Sequence, residues 1–299
     1  MSAEPGSVKI LDGGTGRELA RIGAPFRQPE WSALALIEAP DFVAQVHQRY
    51  VDAGADVITT NSYAVVPFHI GQDRFDAHGA RWAGLAGKLA RQVADAAPRK
   101  VAVAGSLPPV SGSYRPDLID LQRSRAVLAV LVEALAPHVD HWQAETLSAI
   151  AEAELVADLV APSAKPLWLS FTLADEQPGA APQLRSGESV GDAAAAALRL
   201  GAKALLFNCS QPEVMAAAVA QARTALAGSD VAIGVYANAF PPQGADAEAN
   251  SGLSPIRADL TPQGYAAFAS AWASEGATIL GGCCGIGPEH IAVLRSELG

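Results

Sequence analysis

The chain has 299 residues, of which 50% are apolar and 17% charged, and it carries a net charge of −10. That length and apolar content suit one large α/β barrel or two ordinary domains around a sizeable core, and they argue against a disordered chain. The acidic balance argues against nucleic acid and anionic membrane surfaces as partners. No apolar stretch is suited to crossing a bilayer and Met1 to Ser7 lacks the pattern of a signal peptide, so a cytoplasmic location is expected.

Eight short apolar runs alternate with helical patterns along the chain. The first run, 8–11, precedes Gly14-x-Gly16, and 21–40 then shows no strand signal. Phe42, Val46 and Tyr50 repeat at helical spacing, with Gly54 as the stop, before the second run at 56–60. The third run, 101–105, is followed by a segment without strand signal at 107–121. The fourth, 139–144, is weak because His141 and Gln143 interrupt it. After the fifth run, 166–171, the segment 174–190 reads as an irregular loop. An alanine-rich helix then ends at Gly201. The sixth run, 204–207, leads to Ser210 and Glu213, spaced as a capping box for a helix over 215–226. The seventh run, 231–236, opens onto another expected loop at 241–255. Thr261-Pro262 starts a helix that Gly276 ends, the eighth run is 277–280, and Gly287-Pro288-Glu289 opens the last helix.

Strands rich in Val, Ile and Leu without clean alternation are those buried on both faces of a parallel sheet. Eight strand–helix alternations predict a single (β/α)8 TIM-type barrel domain over residues 1–299. The competing fold is a doubly wound open sheet. Its dinucleotide fingerprint asks for a third glycine where Leu19 stands.

Only three cysteines are present, too few and too clustered for a disulfide framework. Cys209 ends the sixth run, and Cys283 and Cys284 end the eighth, so a barrel brings all three to one face. Adjacent residues of a regular strand point to opposite sides, but Gly281, Gly282 and Gly285 let the chain turn there. Cys209 lies just before an expected helix N-terminus, which favours a thiolate. Three thiolates at a barrel mouth read as a Zn2+ site with one open position. The alternative is three small residues buried for packing. The histidines show no ligand spacing, and His141 in the fourth run is placed to face the barrel interior.

Leu11-Asp12-Gly13-Gly14-Thr15-Gly16 resembles the opening motif of the homocysteine S-methyltransferase family. So do Thr59-Thr60-Asn61-Ser62-Tyr63, Glu145-Thr146, Asn208-Cys209 and Gly281-Gly282-Cys283-Cys284-Gly285, in that order from about residue 10 to 291. The resemblance implies a zinc-dependent (β/α)8 enzyme with Cys209, Cys283 and Cys284 as metal ligands. It implies that zinc holds homocysteine as a thiolate, which takes a methyl group from a sulfonium donor, S-methylmethionine or S-adenosylmethionine, to give methionine. It also implies that Asp12 and Glu145 receive the substrate ammonium. The amides of Gly13 and Gly14 are candidates for its carboxylate, and Asn208 for orienting the substrate or its neighbour Cys209.

Each of these residues has a plainer reading. Asp12 is a turn residue, Glu145 a charge beside a capping Thr146, and Asn208 a partner for local backbone. Trp31, before Ser32, resembles the family's Trp-Ser; its ring suits a cationic donor through cation–π attraction, or simply packs. Two loops depart from the family pattern. Gly105-Ser106-Leu107-Pro108-Pro109, with Ser113-Tyr114-Arg115 downstream, replaces Gly-Pro-Tyr-Gly, and Tyr236-Ala237-Asn238-Ala239 replaces Tyr-Pro-Asn-Ser. The thiol side therefore matches while the donor side differs. Betaine, dimethylsulfoniopropionate or a corrinoid as donor, another acceptor, or a non-catalytic zinc-binding barrel are the competing functions.

Overall fold

A computed structural model describes residues 8–243, 252 and 254–299. The expected loop at 241–255 therefore lies largely outside the described residues, as does the N-terminal stretch through Ser7. Eight strands form the sheet: β1 Lys9–Ile10, β2 Val57–Thr59, β3 Ala102–Leu107, β4 His141–Leu147, β5 Leu167–Phe171, β6 Ala204–Asn208, β7 Ala232–Tyr236 and β8 Ile279–Leu280. Every one overlaps a run read from the sequence.

All neighbouring strands pair in parallel, in the order β1-β8-β7-β6-β5-β4-β3-β2. A parallel bridge between Leu11 and Val57 joins the two ends, with Asp12 N donating to Val57 O at 3.0 Å. The sheet thus closes into a (β/α)8 barrel, which excludes the open doubly wound alternative. Among the described residues no helix is long and apolar enough to cross a membrane.

Two apolar clusters follow from the period-two alternation of the strands. In β6, Leu205 and Phe207 face the helices, whereas Ala204 and Leu206 join Leu11, Val57, Ala104, Trp168, Tyr236 and Ile279 in a second cluster, inside the barrel. The same alternation explains the weak fourth run. Trp142 and Ala144 pack outward, and His141, Gln143 and Glu145 share the opposite parity. His141 lies tilted against Trp168 and Gln143 Nε2 donates to Tyr236 Oη at 3.2 Å. The polar residues that break the apolar run therefore climb the barrel interior from floor to mouth.

Local signals mostly act as expected. Thr261 Oγ1 accepts from Gly264 N at 3.1 Å, and Gly276 ends its helix, Pro262–Glu275, at φ 117°. Ser210 and Glu213 do not form a capping box. Ser210 Oγ instead accepts from Leu173 N at 2.8 Å, tying the β6 and β5 loops together. Glu213 pairs with Arg257 at 2.7 Å, and a 3-10 turn, Pro212–Val214, starts the helix Met215–Ala225. Tertiary partners outcompete the local cap.

Candidate active site

The three cysteines meet at the carboxyl ends of β6 and β8, where their Sγ atoms all lie within 4.8 Å of one another. Cys283 Sγ is 3.0 Å from Cys209 Sγ. Cys209 leaves β6 with φ 52°, a left-handed conformation uncommon outside glycine. After β8 the chain is no longer a strand. Cys283 N donates to Ala237 O at 2.9 Å, Gly285 turns at φ 84°, and Ile286 N closes the turn on Cys283 O at 3.1 Å. This turn is what lets two adjacent cysteines serve one point. A Cβ on Gly282 would sit 2.1 Å from Ile286 Cγ2, so the turn has no room for a side chain there.

Thiols this close cannot all ionise without a cation. Hydrogen bonds from Cys209 and Cys283 hold Cys284 well below the usual thiol range. The hydrogen bond with Cys209, then that with Cys284, and burial push Cys283 up. Cys209 is pulled down by the bond from Cys283, but Cys284 and burial outweigh that and raise it.

Beside the sulfurs, Asp12 and Glu145 are both buried. Asp12 accepts from Thr59 N at 2.6 Å and Thr59 Oγ1 at 3.0 Å, so β2 fixes a carboxylate that follows β1. Glu145 accepts from Ser106 of β3 and from Tyr236 Oη of β7 at 3.4 Å. Loss of solvent raises both groups to about 7, against partial relief from these hydrogen bonds. Two such carboxylates in one cavity favour a cationic ligand.

Thr146 is not a helix cap. It lies within β4 at φ 60°, in a break of register between Ala144 and Leu147. A bulge of this kind re-aims side chains near a site. Asn208 holds it: Asn208 Oδ1 accepts from Thr146 N at 2.9 Å and Nδ2 donates to Thr146 Oγ1 at 2.8 Å. Asn208 is fully buried and does not line the cavity, which fits the backbone-partner reading of this residue. Gly13 and Gly14 do line it, but the Gly14 amide is already donated to Ile286 O at 2.9 Å. Among the described residues only the Gly13 amide of the pair is open.

The cavity is also lined by Trp31, Tyr63, Tyr114 and Phe240. Trp31 has φ 49° and packs edge-on against Phe26, with centroids 5.7 Å apart. Tyr114, in the loop that departs from the family pattern, donates to Cys209 Sγ at 3.1 Å. Arg185 lies over its ring at 4.9 Å and is itself paired with buried Asp175 at 2.9 Å. Sequence reading placed this loop at the mouth without singling out Tyr114, because nothing local marks which of its residues turns inward. Arg17, three residues beyond Gly14, also lines the cavity and was not signalled by the motif that precedes it.

Residues 9–298 match the family profile described as homocysteine S-methyltransferase. The chain belongs to the homocysteine S-methyltransferase family, and is by family a methyltransferase. It is similar to the homocysteine S-methyltransferase of Escherichia coli K12, with 30% identity over 97% of this chain and 95% of that protein. Homocysteine S-methyltransferase 1 of Zea mays is 29% identical over 100% and 96%. The crystal structure of the Escherichia coli homocysteine methyltransferase MmuM in metallated form superposes with a TM-score of 0.77 at 28% identity, covering 97% of this chain and 96% of that one.

Proposed function

We propose that this chain, acting as one homocysteine-binding barrel domain, transfers a methyl group from a sulfonium donor, S-methylmethionine or S-adenosylmethionine, to homocysteine. The observation that carries this reading is the convergence of three thiols within 4.8 Å beside two buried carboxylates in one cavity. Three soft sulfur donors suit zinc, with Cys209, Cys283 and Cys284 as its ligands and a fourth position for substrate. When bound there, zinc supplies the lowered thiol pKa that keeps homocysteine nucleophilic at neutral pH.

The protein's own groups do the rest. Asp12 and Glu145 accept hydrogen bonds from the homocysteine ammonium, and Thr59, Ser106 and Tyr236 keep the two carboxylates aimed at it. A cation between them lowers both pKa values and removes the cost of their burial. The Gly13 amide is placed to meet the carboxylate. Trp31 and the neighbouring aromatic wall face the donor, whose sulfonium carries positive charge. The substrate thiolate attacks the methyl carbon in line; a new S–C bond forms as the donor S–C bond breaks. The departing sulfur keeps the electron pair and leaves as a neutral thioether.

The test is methyl transfer to homocysteine with S-methylmethionine, S-adenosylmethionine, betaine, dimethylsulfoniopropionate and a methylated corrinoid, beside elemental analysis of fresh protein. Methionine from a sulfonium donor with one zinc per chain is expected. Turnover with betaine or the corrinoid alone reassigns the donor. Zinc and homocysteine binding without turnover on any donor leaves a non-catalytic barrel, a reading the buried amino-group clamp argues against.

A further inference from the structure

Among the described residues, Arg17 is a cation without an anion. It belongs to the helix Thr15–Arg21 and lines the same cavity as Asp12, Cys283 and Cys284. Its Nη2 donates to Ser254 O at 2.6 Å, and its guanidinium lies 5.6 Å from the Phe240 ring centroid. Its Nε is buried and has no partner among the described residues. No carboxylate pairs with it there either, whereas Arg21, one turn on, is paired with Glu18 at 2.7 Å. A guanidinium stays charged at any physiological pH, so a buried and unused N–H on it is costly unless a ligand fills it.

The rest of the cavity is built for the opposite sign. Asp12 and Glu145 suit an ammonium, and an amino-acid ligand brings a carboxylate with it. Of the two amides available to that carboxylate, Gly14 is committed to Ile286. We propose that Arg17 binds the α-carboxylate of an amino-acid substrate in this cavity, with Nε–H as one arm of the guanidinium fork. The inference rests on the methyltransferase reading above. Both homocysteine and an amino-acid sulfonium such as S-methylmethionine carry this carboxylate, and the experiment separates them.

Arg17→Gln and Arg17→Lys are compared with the wild type in steady state. The ligands are homocysteine, 3-aminopropanethiol, S-methylmethionine and its decarboxylated analogue, (3-aminopropyl)dimethylsulfonium. Arg17→Gln is expected to raise KM for one of the two amino acids about 10- to 100-fold, the size of a lost charge-assisted hydrogen bond. KM for the matching decarboxylated analogue should stay within twofold, zinc content should not change, and lysine should recover part of the loss. A rise for homocysteine assigns the acceptor carboxylate, and a rise for S-methylmethionine assigns the donor's. Unchanged KM for both, or equal losses with and without the carboxylate, overturns the proposal. If wild-type protein transfers no methyl group, the functional reading fails, and calorimetric titration of the same four ligands still reads Arg17. Equal affinity of the wild type and Arg17→Gln for both amino acids then overturns the proposal on its own.

Discussion

The two ends of the barrel are built from the same strands to different rules. β4 carries His141 at the floor and Glu145 at the mouth. At the floor, His141 lies tilted against Trp168 with centroids 4.0 Å apart, and Lys9 Nζ lies over the Trp168 ring, 5.6 Å from its centroid. At the mouth, four non-glycine residues that line the cavity have positive φ: Trp31, Tyr114, Thr146 and Cys209. Ala164, at the end of a 3-10 turn, is the only other one among the described residues. Each such residue costs on the order of 1–3 kcal/mol that packing elsewhere must offset. The mouth also buries two carboxylates and crowds three thiols. The mouth sets folding preferences aside to aim side chains, as expected where function competes with stability.

That contrast predicts that mouth substitutions harm activity more than stability. The largest effect is expected from Cys284→Ser or Cys209→Ser. Serine is a far poorer zinc ligand than a thiolate, so zinc content and turnover should fall together, turnover by roughly 1,000-fold or more, the scale at which transition-state stabilisation of about 4 kcal/mol is lost. The melting temperature should shift little. Elemental analysis, kinetics and calorimetry of each variant check this; activity surviving in either variant would remove the cysteines from the mechanism.

Next come the carboxylates. Asp12→Asn and Glu145→Gln should each lower kcat/KM for homocysteine by roughly 10- to 150-fold, the equivalent of about 1.5–3 kcal/mol for a charge-assisted hydrogen bond, with zinc retained. An unchanged specificity constant in both would put the ammonium elsewhere. The same Glu145→Gln protein should be more stable than wild type in alkali when no substrate is present. Burial raises Glu145 from 4.5 to about 7, so its neutral form suits the folded state. Its contribution is full below pH 4.5 and is lost as pH rises through 7, on the order of 3 kcal/mol. Glutamine never ionises. The gain in melting temperature should therefore be several degrees at pH 8 and much smaller at pH 5. A gain equal at both pH values would mean that the carboxylate charge is not the cause.

The floor and walls of the barrel were legible in the sequence because burial on both faces leaves a plain record: short apolar runs at regular intervals. Even the weak run at 139–144 carried its meaning, since His141 and Gln143 interrupt it by pointing inward. The cysteines and Asp12 were legible because they end such runs or follow them. What stayed hidden depends on contacts between distant segments. Asn208 reaches Thr146, 62 residues away, and Tyr114 reaches Cys209, 95 residues away. Ser210 abandoned a local cap for Leu173, 37 residues distant. A loop residue carries no periodic signal for which way it turns, so Tyr114 emerges only once the barrel brings the loops together, and Arg17, in the short helix Thr15–Arg21, only once that helix is set against the mouth.

The smallest effect belongs to the floor and has the opposite pH sign. Burial pushes His141 down from 6.5 to about 4; Asp140 opposes this slightly and Lys9 adds to it. A histidine kept neutral in the fold stabilises fully above its unfolded pKa, and that contribution is lost as pH falls from 6.5 toward 4. Between pH 7.5 and 5.5 the loss from His141 is about 1 kcal/mol, or roughly 2 °C in melting temperature for a chain of this size. His47, buried in the helix Pro40–Asp52 and also pushed down to about 4, adds a like amount from a separate place. His141→Leu should therefore remove only its own share of the acid sensitivity, whatever it does to absolute stability, and should leave kcat/KM within about twofold, because His141 does not line the cavity. Melting curves of wild type and variant at pH 7.5 and 5.5, with kinetics at 7.5, separate the two ends. If the acid-induced drop is identical in both proteins, His141 is not the floor's titrating group. If activity falls tenfold, the floor is not independent of the mouth and the division drawn between them fails.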